Sequence, residues 1–265
     1  EESERVMHYL SASTEGKLTE ILLRQLIANH ATALVNMEGS GLLWMLNGNR
    51  LDDLKRMYSL FSKVPTTLVL LRDIVGDFTK QCGLEIVAKY ESVSDPVGFV
   101  KETLALEAKM NGILSKSFKG EKKTEKKIQD AFSEFLNNDM RCSNYISLYL
   151  DHLMRGDLKN VASEDMDSTI DRVMSIFRYI QDKDIFENFY RMHYSKRLLS
   201  NKSASEDSER AVLAHLQKEC GHQYVTKLHG MHSDVKHSRD IMAAYKEYSA
   251  FLNGNVELQV SVLTA

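Results

Sequence analysis

Apolar residues recur at steps of three and four along almost the entire chain, and only two prolines interrupt them. That spacing is the signature of helices with one buried stripe. Residues 50–64 show it most cleanly: Leu51, Leu54, Met57, Tyr58, Phe61 and Val64 share a side, with Asp52, Asp53, Lys55 and Arg56 opposite. Met166, Ile170, Val173, Met174, Phe177 and Ile180 repeat it, as do Tyr224, Leu228, Met231 and Val235, then Ile241, Tyr245, Tyr248 and Leu252. A sandwich or barrel needs a turn about every 8–12 residues, and turns consume glycine and proline. Thirteen glycines and two prolines in 265 residues are too few. The chain is therefore expected to be mainly α, with long helices packed side by side.

Punctuation sets the expected elements. Residues 17–37 read as a helix buried on more than one side, followed by a short apolar turn at LLWML (42–46). Pro65 is expected to stop the helix of 50–64, and the next should run from about 67 to 87. Asp95-Pro96 is a start signal, because aspartate caps and proline at the first helical position has no amide hydrogen to lose. Its helix should reach about Phe118, and a lysine-rich connection then leads to another at 125–136. Beyond Asn137-Asn138-Asp139, helices are expected at 143–154, at 164–181 with Ser163 as cap, and at 185–200 behind an Asp184/Glu187 capping box. Ser205 should cap a helix at 206–219 that Gly221 stops.

The last ten residues change period. Val256, Leu258, Val260 and Val262 alternate with Glu257, Gln259 and Ser261, a strand pattern. A lone strand leaves its amides and carbonyls without a ladder, and no comparable strand occurs upstream. The partner strands are expected beyond Ala265 or on another chain. The opening EESERVMHYL lacks an initiator methionine and reads as the inside of a helix, so the chain is expected to be a fragment of a longer one.

Chemistry is sparse. There is no phosphate-cradling glycine loop, GxSxG elbow, HExxH or CxxC pair. Cys220, His222, His229 and His232 fall within thirteen residues, but with only one cysteine they read as helix-end and surface residues. Glu164, Asp165, Asp167 and Asp171 lack the spacing of a calcium loop and suit a helix start. KSFKGEKKTEKK (116–127) has no arginine and only Phe118 among aromatics, so it reads as a solvated loop and helix start rather than a nucleic-acid patch. The formal charge of −3 excludes a generally basic nucleic-acid binder. No apolar run is long enough to span a membrane. Three widely spaced cysteines, Cys82, Cys142 and Cys220, suit a reducing compartment, cytoplasm or nucleus. No catalytic, cofactor or metal residue is expected, and a helical chain of this kind reads as an interaction scaffold.

The run 182–248 carries a resemblance. DKDIFENFY (182–190), KRLL (196–199), SASEDSE (203–209), ECG (219–221) and TKLHGMHSD (226–234) follow in the order characteristic of the cullins. ERVMHYLSAST (4–14), VNMEGSGLLWML (35–46), DDLKRMYSLFSKVP (52–65) and VELQVSVLT (256–264) are also similar to cullin sequences, most of all the cullin 3 branch. The resemblance covers nearly the whole chain and is weakest at 116–140.

It implies three parts. Residues 1–140 resemble a cullin repeat, the third and possibly the tail of the second. Residues 141–252 resemble the four-helix bundle that opens the cullin homology region. Residues 253–265 resemble the first strand of the α/β domain, to whose sheet a RING-box protein adds a strand in that family. The implied function is a non-catalytic scaffold of a cullin-RING ubiquitin ligase, linking a BTB-type substrate adaptor, held by repeats preceding residue 1, to a RING-box protein and, through it, a ubiquitin-conjugating enzyme. The NEDD8-acceptor lysine of the family would follow residue 265. Candidate partner-sheet residues are Val256, Leu258, Val260 and Val262; Lys196 and Arg197 are either a surface contact or part of a bundle face. The rival reading is a helical tether unrelated to ubiquitin.

Overall fold

The computed structural model describes residues 12–157, 163–200, 205–249 and 258–263. Among them lie twelve α-helices: α1 (Ala12–Leu26), α2 (Ala31–Val35), α3 (Leu42–Asn47), α4 (Leu51–Phe61), α5 (Pro65–Lys89), α6 (Pro96–Lys116), α7 (Lys122–Asn137), α8 (Met140–His152), α9 (Ser163–Phe177), α10 (Lys183–Ser200), α11 (Glu206–Cys220) and α12 (His222–Ser249). No strand forms among the described residues. The mainly α architecture is as the periodicity requires. The chain divides into two compact units: Glu1–Glu85 with Ala105–Phe135, and Ile86–Leu104 with Leu136–Ala265.

In the first unit α3 packs on α4, burying Leu42, Leu46, Leu54 and Phe61. LLWML is thus helical rather than a turn. Pro65 does not stop α4, which ends at Phe61; it occupies the first position of α5, where its missing amide costs nothing. α5 and α7 run parallel, matched by Asp73 with Lys127 (2.7 Å), Lys80 with Glu134 (2.5 Å) and Gly83 against the Phe135 ring. A Cβ at Gly83 would lie closer than 3.0 Å to three ring carbons, so the approach of that ring requires glycine. The expected helix at 17–37 is broken: α1 ends at Leu26, and a 3-10 turn (Ala28–His30) precedes α2. Ile21, Leu22 and Leu26 are 57%, 45% and 67% exposed, so α1 is not buried on more than one side. Its apolar face has no cover among the described residues.

In the second unit Asp95 opens α6 as expected, its carboxylate accepting from Gly98 N at 2.9 Å. Five helices, α8–α12, then follow, and they close a ring: α8 packs on α9 and α10, α9 on α11, and α12 on both α10 and α11. α8, the helix expected at 143–154, begins at Met140 and buries its amphipathic face through Cys142, Ile146, Tyr149 and Leu150. Asn137 ties the start of this unit to the α9–α10 turn: its amide donates to Tyr179 O and its oxygen accepts from Gln181 N, both at 2.8 Å. α10 begins at Lys183, two residues before the expected start, which puts Asp184 within the first turn instead of at the cap. Ser205 caps α11, accepting from Ser208 N at 3.0 Å, and Gly221, at φ 88°, ends it in a conformation L side chains rarely adopt.

α12 joins the last two expected stripes into one helix with two fates. Val225, Leu228, Met231 and Val235 are buried, while Ile241 and Tyr248 are 68% and 64% exposed. Residues 258–263 form neither helix nor strand. The Ser238 hydroxyl holds them to α12, accepting from Val262 N (3.1 Å) and donating to Val262 O (3.4 Å). Leu258, Val260 and Val262 are exposed. Val256 lies outside the described residues, as does Leu252.

Candidate functional site

The charged chemistry of the second unit converges on one side chain. Arg197, on α10, is fully buried. A buried guanidinium must be neutralised and hydrogen-bonded, because stripping its water costs several kcal/mol. Two carboxylates meet it. Glu209, on the first turn of α11, takes a two-pronged bond from Nε (2.8 Å) and Nη2 (3.0 Å). Asp151, on α8, accepts from Nη1 at 2.6 Å and, through its other oxygen, from Arg155 Nε at 2.6 Å. Two arginines and two carboxylates form a neutral quartet that joins α8, α10 and α11.

Helix geometry positions the quartet. Phe186, Tyr190 and Tyr194 stand four residues apart on α10 and stack at 5.9 Å between successive centroids, 11° and 18° from parallel. Arg197, three residues further, lies 5.6 Å and 5.5 Å from the two tyrosine centroids, a cation–π cradle. The Tyr194 hydroxyl reaches His232 Nδ1 on α12 at 3.2 Å. At the opposite end of α10, Tyr224 donates to Lys183 O at 2.7 Å, and the Lys183 ammonium sits 3.9 Å above the Phe177 ring. The capped start of α11 aims its first turn at the guanidinium, which is why Glu209 reaches it.

Protonation follows the same contacts. Burial alone would raise the Asp151 carboxyl, but the bonds from Arg155 and Arg197 overturn that and hold it below the usual carboxylate range. Burial pushes the Tyr190 and Tyr194 hydroxyls up, and the negative Glu209 adds to it. Burial lowers His193, beside Asp151, and its Nε2 is buried without a hydrogen-bond partner. The Cys142 thiol is pushed up to about 12 by burial. The quartet's donors and acceptors point at one another, so its chemistry is to neutralise buried charge and fix helices.

Arg197 is accordingly part of the bundle interior and not a surface contact: at i+7 from Tyr190 it falls on the buried stripe of α10. Its neighbour Lys196 points outward and is exposed. The two residues named together are therefore separated by the helix. Asp151, Arg155 and Glu209 were missed by sequence reasoning; the available signal was an arginine in step with the Phe186, Tyr190 and Tyr194 stripe, which demands acidic partners. Of the remaining candidates, His222 and His229 lie with ring centroids 6.5 Å apart, and His232 serves Tyr194. Asp167 and Asp171 flank His215 on α11 at 3.7 Å and 3.3 Å. In 116–127 all six lysines are exposed, whereas Phe118 is fully buried.

Comparison with known proteins adds identity to geometry. A family model described as the Cullin alpha solenoid domain matches residues 1–242. Among curated relatives, the chain is 40% identical over 266 residues to Cullin-3 of Dictyostelium discoideum and 40% identical over 264 residues to Cullin-3B of Arabidopsis thaliana, covering all of this chain and 35% and 36% of those proteins. Cullin-3 of Caenorhabditis elegans is 30% identical over 274 residues. The chain spans about a third of the length of these relatives.

Proposed function

The chain belongs to the cullin family, most like cullin 3, and from that premise we propose that it is a non-catalytic scaffold segment of a cullin-RING ubiquitin ligase. The observation that carries this reading is where the family-like residues of 182–248 stand. Phe186, Tyr190, Arg197, Glu209, Leu228 and Met231 are buried, and they spend their chemistry on holding helices to one another. A chain whose signature residues secure its own packing suits a part that fixes the geometry of others. Linking an adaptor to a ubiquitin-donating enzyme raises their effective concentration, provided the linker is stiff enough to keep them facing.

In the same proposal, residues 1–140 act as a cullin repeat, 141–252 as the opening of the homology region, and 253–265 as a strand entering an α/β sheet. A RING-box protein adds to that sheet, a BTB-type adaptor sits on earlier repeats, NEDD8 is carried on a later lysine, and the whole acts in cytoplasm and nucleus. Val256, Leu258, Val260 and Val262 would belong to the strand of that sheet and share one of its faces, and exposed Lys196 would serve as a surface contact. The test is co-elution of a purified RING-box protein with the polypeptide that carries this chain in cells. A stable complex that stimulates ubiquitin transfer supports the proposal. Failure to bind any RING-box protein overturns it in favour of a tether unrelated to ubiquitin.

A further inference from the structure

We propose that the α6–α7 connection, residues 116–127, is a pre-shaped basic knob that receives an acidic, carboxylate-rich segment of a partner protein. The charge is segregated. The chain carries −3 overall, yet this stretch holds six lysines against two glutamates, a local +4 that leaves the remainder at −7. The acids nearest the lysines neutralise only one of the six, Lys127. Glu121 is bound by Arg72 and Thr124, and Asp73 by Lys127. Lys116, Lys119, Lys122, Lys123 and Lys126 are exposed and carry no acidic partner among the described residues.

The knob is held in shape from beneath. Phe118 is fully buried and lies 5.4 Å from the Tyr58 ring. Ser117 donates to Leu51 O at 2.8 Å, and Gly120 N donates to Leu114 O at 2.9 Å. Lys119 and Gly120 both take positive φ, 52° and 66°. A lysine in the left-handed region is uncommon, and backbone of this kind persists where the surroundings over-determine it. On α7, Thr124, Ile128, Ala131 and Phe135 face the core, which puts Lys122 and Lys126 on the opposite side. Fixed backbone thus presents a cluster of flexible ammonium groups to solvent.

The chemistry selects the occupant. Nucleic-acid surfaces add arginine or stacking aromatics to lysine, and the one aromatic here is buried. A membrane-seeking segment pairs its lysines with exposed apolar side chains, and 116–127 exposes none. Lysine point charges without either feature suit carboxylates on a mobile peptide.

The test uses the whole chain and a fluorescein-labelled oligoglutamate peptide, read by anisotropy across a salt series. Binding should weaken steeply as salt rises. Each exposed pair is worth roughly twofold, so combining Lys116→Gln, Lys119→Gln, Lys122→Gln and Lys123→Gln should weaken binding on the order of tenfold. Combining Lys101→Gln, Lys218→Gln, Lys227→Gln and Lys236→Gln removes the same charge elsewhere and should leave binding within about twofold. Unaltered far-UV circular dichroism verifies folding of both variants. Equal weakening by the two sets, or no binding at low salt, overturns the proposal. So does tighter binding of duplex DNA or phosphatidylserine vesicles than of oligoglutamate through the same four lysines.

Discussion

Replacing Arg197 with methionine keeps a long, flexible side chain but removes the cation. Glu209, only 2% exposed, then loses its two bonds from the guanidinium, and Asp151 loses one while keeping that from Arg155. Charged hydrogen bonds contribute about 1.5–3 kcal/mol each, and leaving a buried charge unpaired costs about 3–5 kcal/mol. Because Glu209 is almost wholly without water, the loss should fall near the middle of that range, at about 4 kcal/mol. The assay is urea unfolding by far-UV circular dichroism, with hydrogen exchange on α8, α10 and α11 to assign the loss to that unit. A double-mutant cycle separates charge from packing. Glu209→Leu alone leaves the guanidinium only Asp151, which it shares with Arg155, and should cost a similar amount, but in the Arg197→Met background it should cost little, because both charges are then gone. A single-variant loss below about 1 kcal/mol, or additivity of the two substitutions within about 0.5 kcal/mol, would refute the claim that the quartet is a coupled buried unit.

Asp151 also sets an acid limit. Its folded-state pKa lies below the unfolded value of about 3.9, so its contribution is present above that pH and is lost as pH falls through the folded pKa; acid unfolding should lose part of its pH dependence in Arg197→Met. Gly83→Ala should overpack the Phe135 ring and cost about 1–3 kcal/mol in thermal unfolding, with Phe135→Leu restoring part of the loss. Ser205→Ala removes the α11 cap and should cost about 1 kcal/mol by urea titration. With its thiol raised to about 12, Cys142 should resist maleimide at neutral pH until the protein unfolds, while half-buried Cys82 and Cys220 react earlier.

Periodicity identified helices reliably because one buried face per helix leaves a repeat of three and four residues in the chain itself. Asp95, Ser205 and Gly221 could be read because caps act through local backbone geometry. Pro65 misled for the same local reason: the same residue that ends one helix is well suited to begin the next, and only packing decides between them. The exposure of Ile21, Leu22, Leu26 and Ile241 shows a further limit, since an apolar stripe signals a need for cover without showing what supplies it. Most of the charge quartet was hidden. Asp151, Arg197 and Glu209 are separated by 46 and 12 residues and meet only when three helices close. By composition Arg197 resembles the exposed Lys196 beside it; the register of α10 alone separates them.

The scaffold reading makes stiffness the functional quantity, and the break after α7 admits a flexible insertion at an exposed residue. Asn138 is exposed there, between Asn137, which binds Tyr179 and Gln181, and Asp139, which accepts from Arg141 N at 2.8 Å. The most direct measurement is ubiquitin transfer by a reconstituted ligase whose scaffold carries a flexible Gly-Ser insertion after Asn138. The account predicts that adaptor and RING-box protein stay bound while transfer to substrate falls at least about tenfold, as effective concentration is lost. Transfer at the rate of the uninserted protein, with both partners bound, would contradict it.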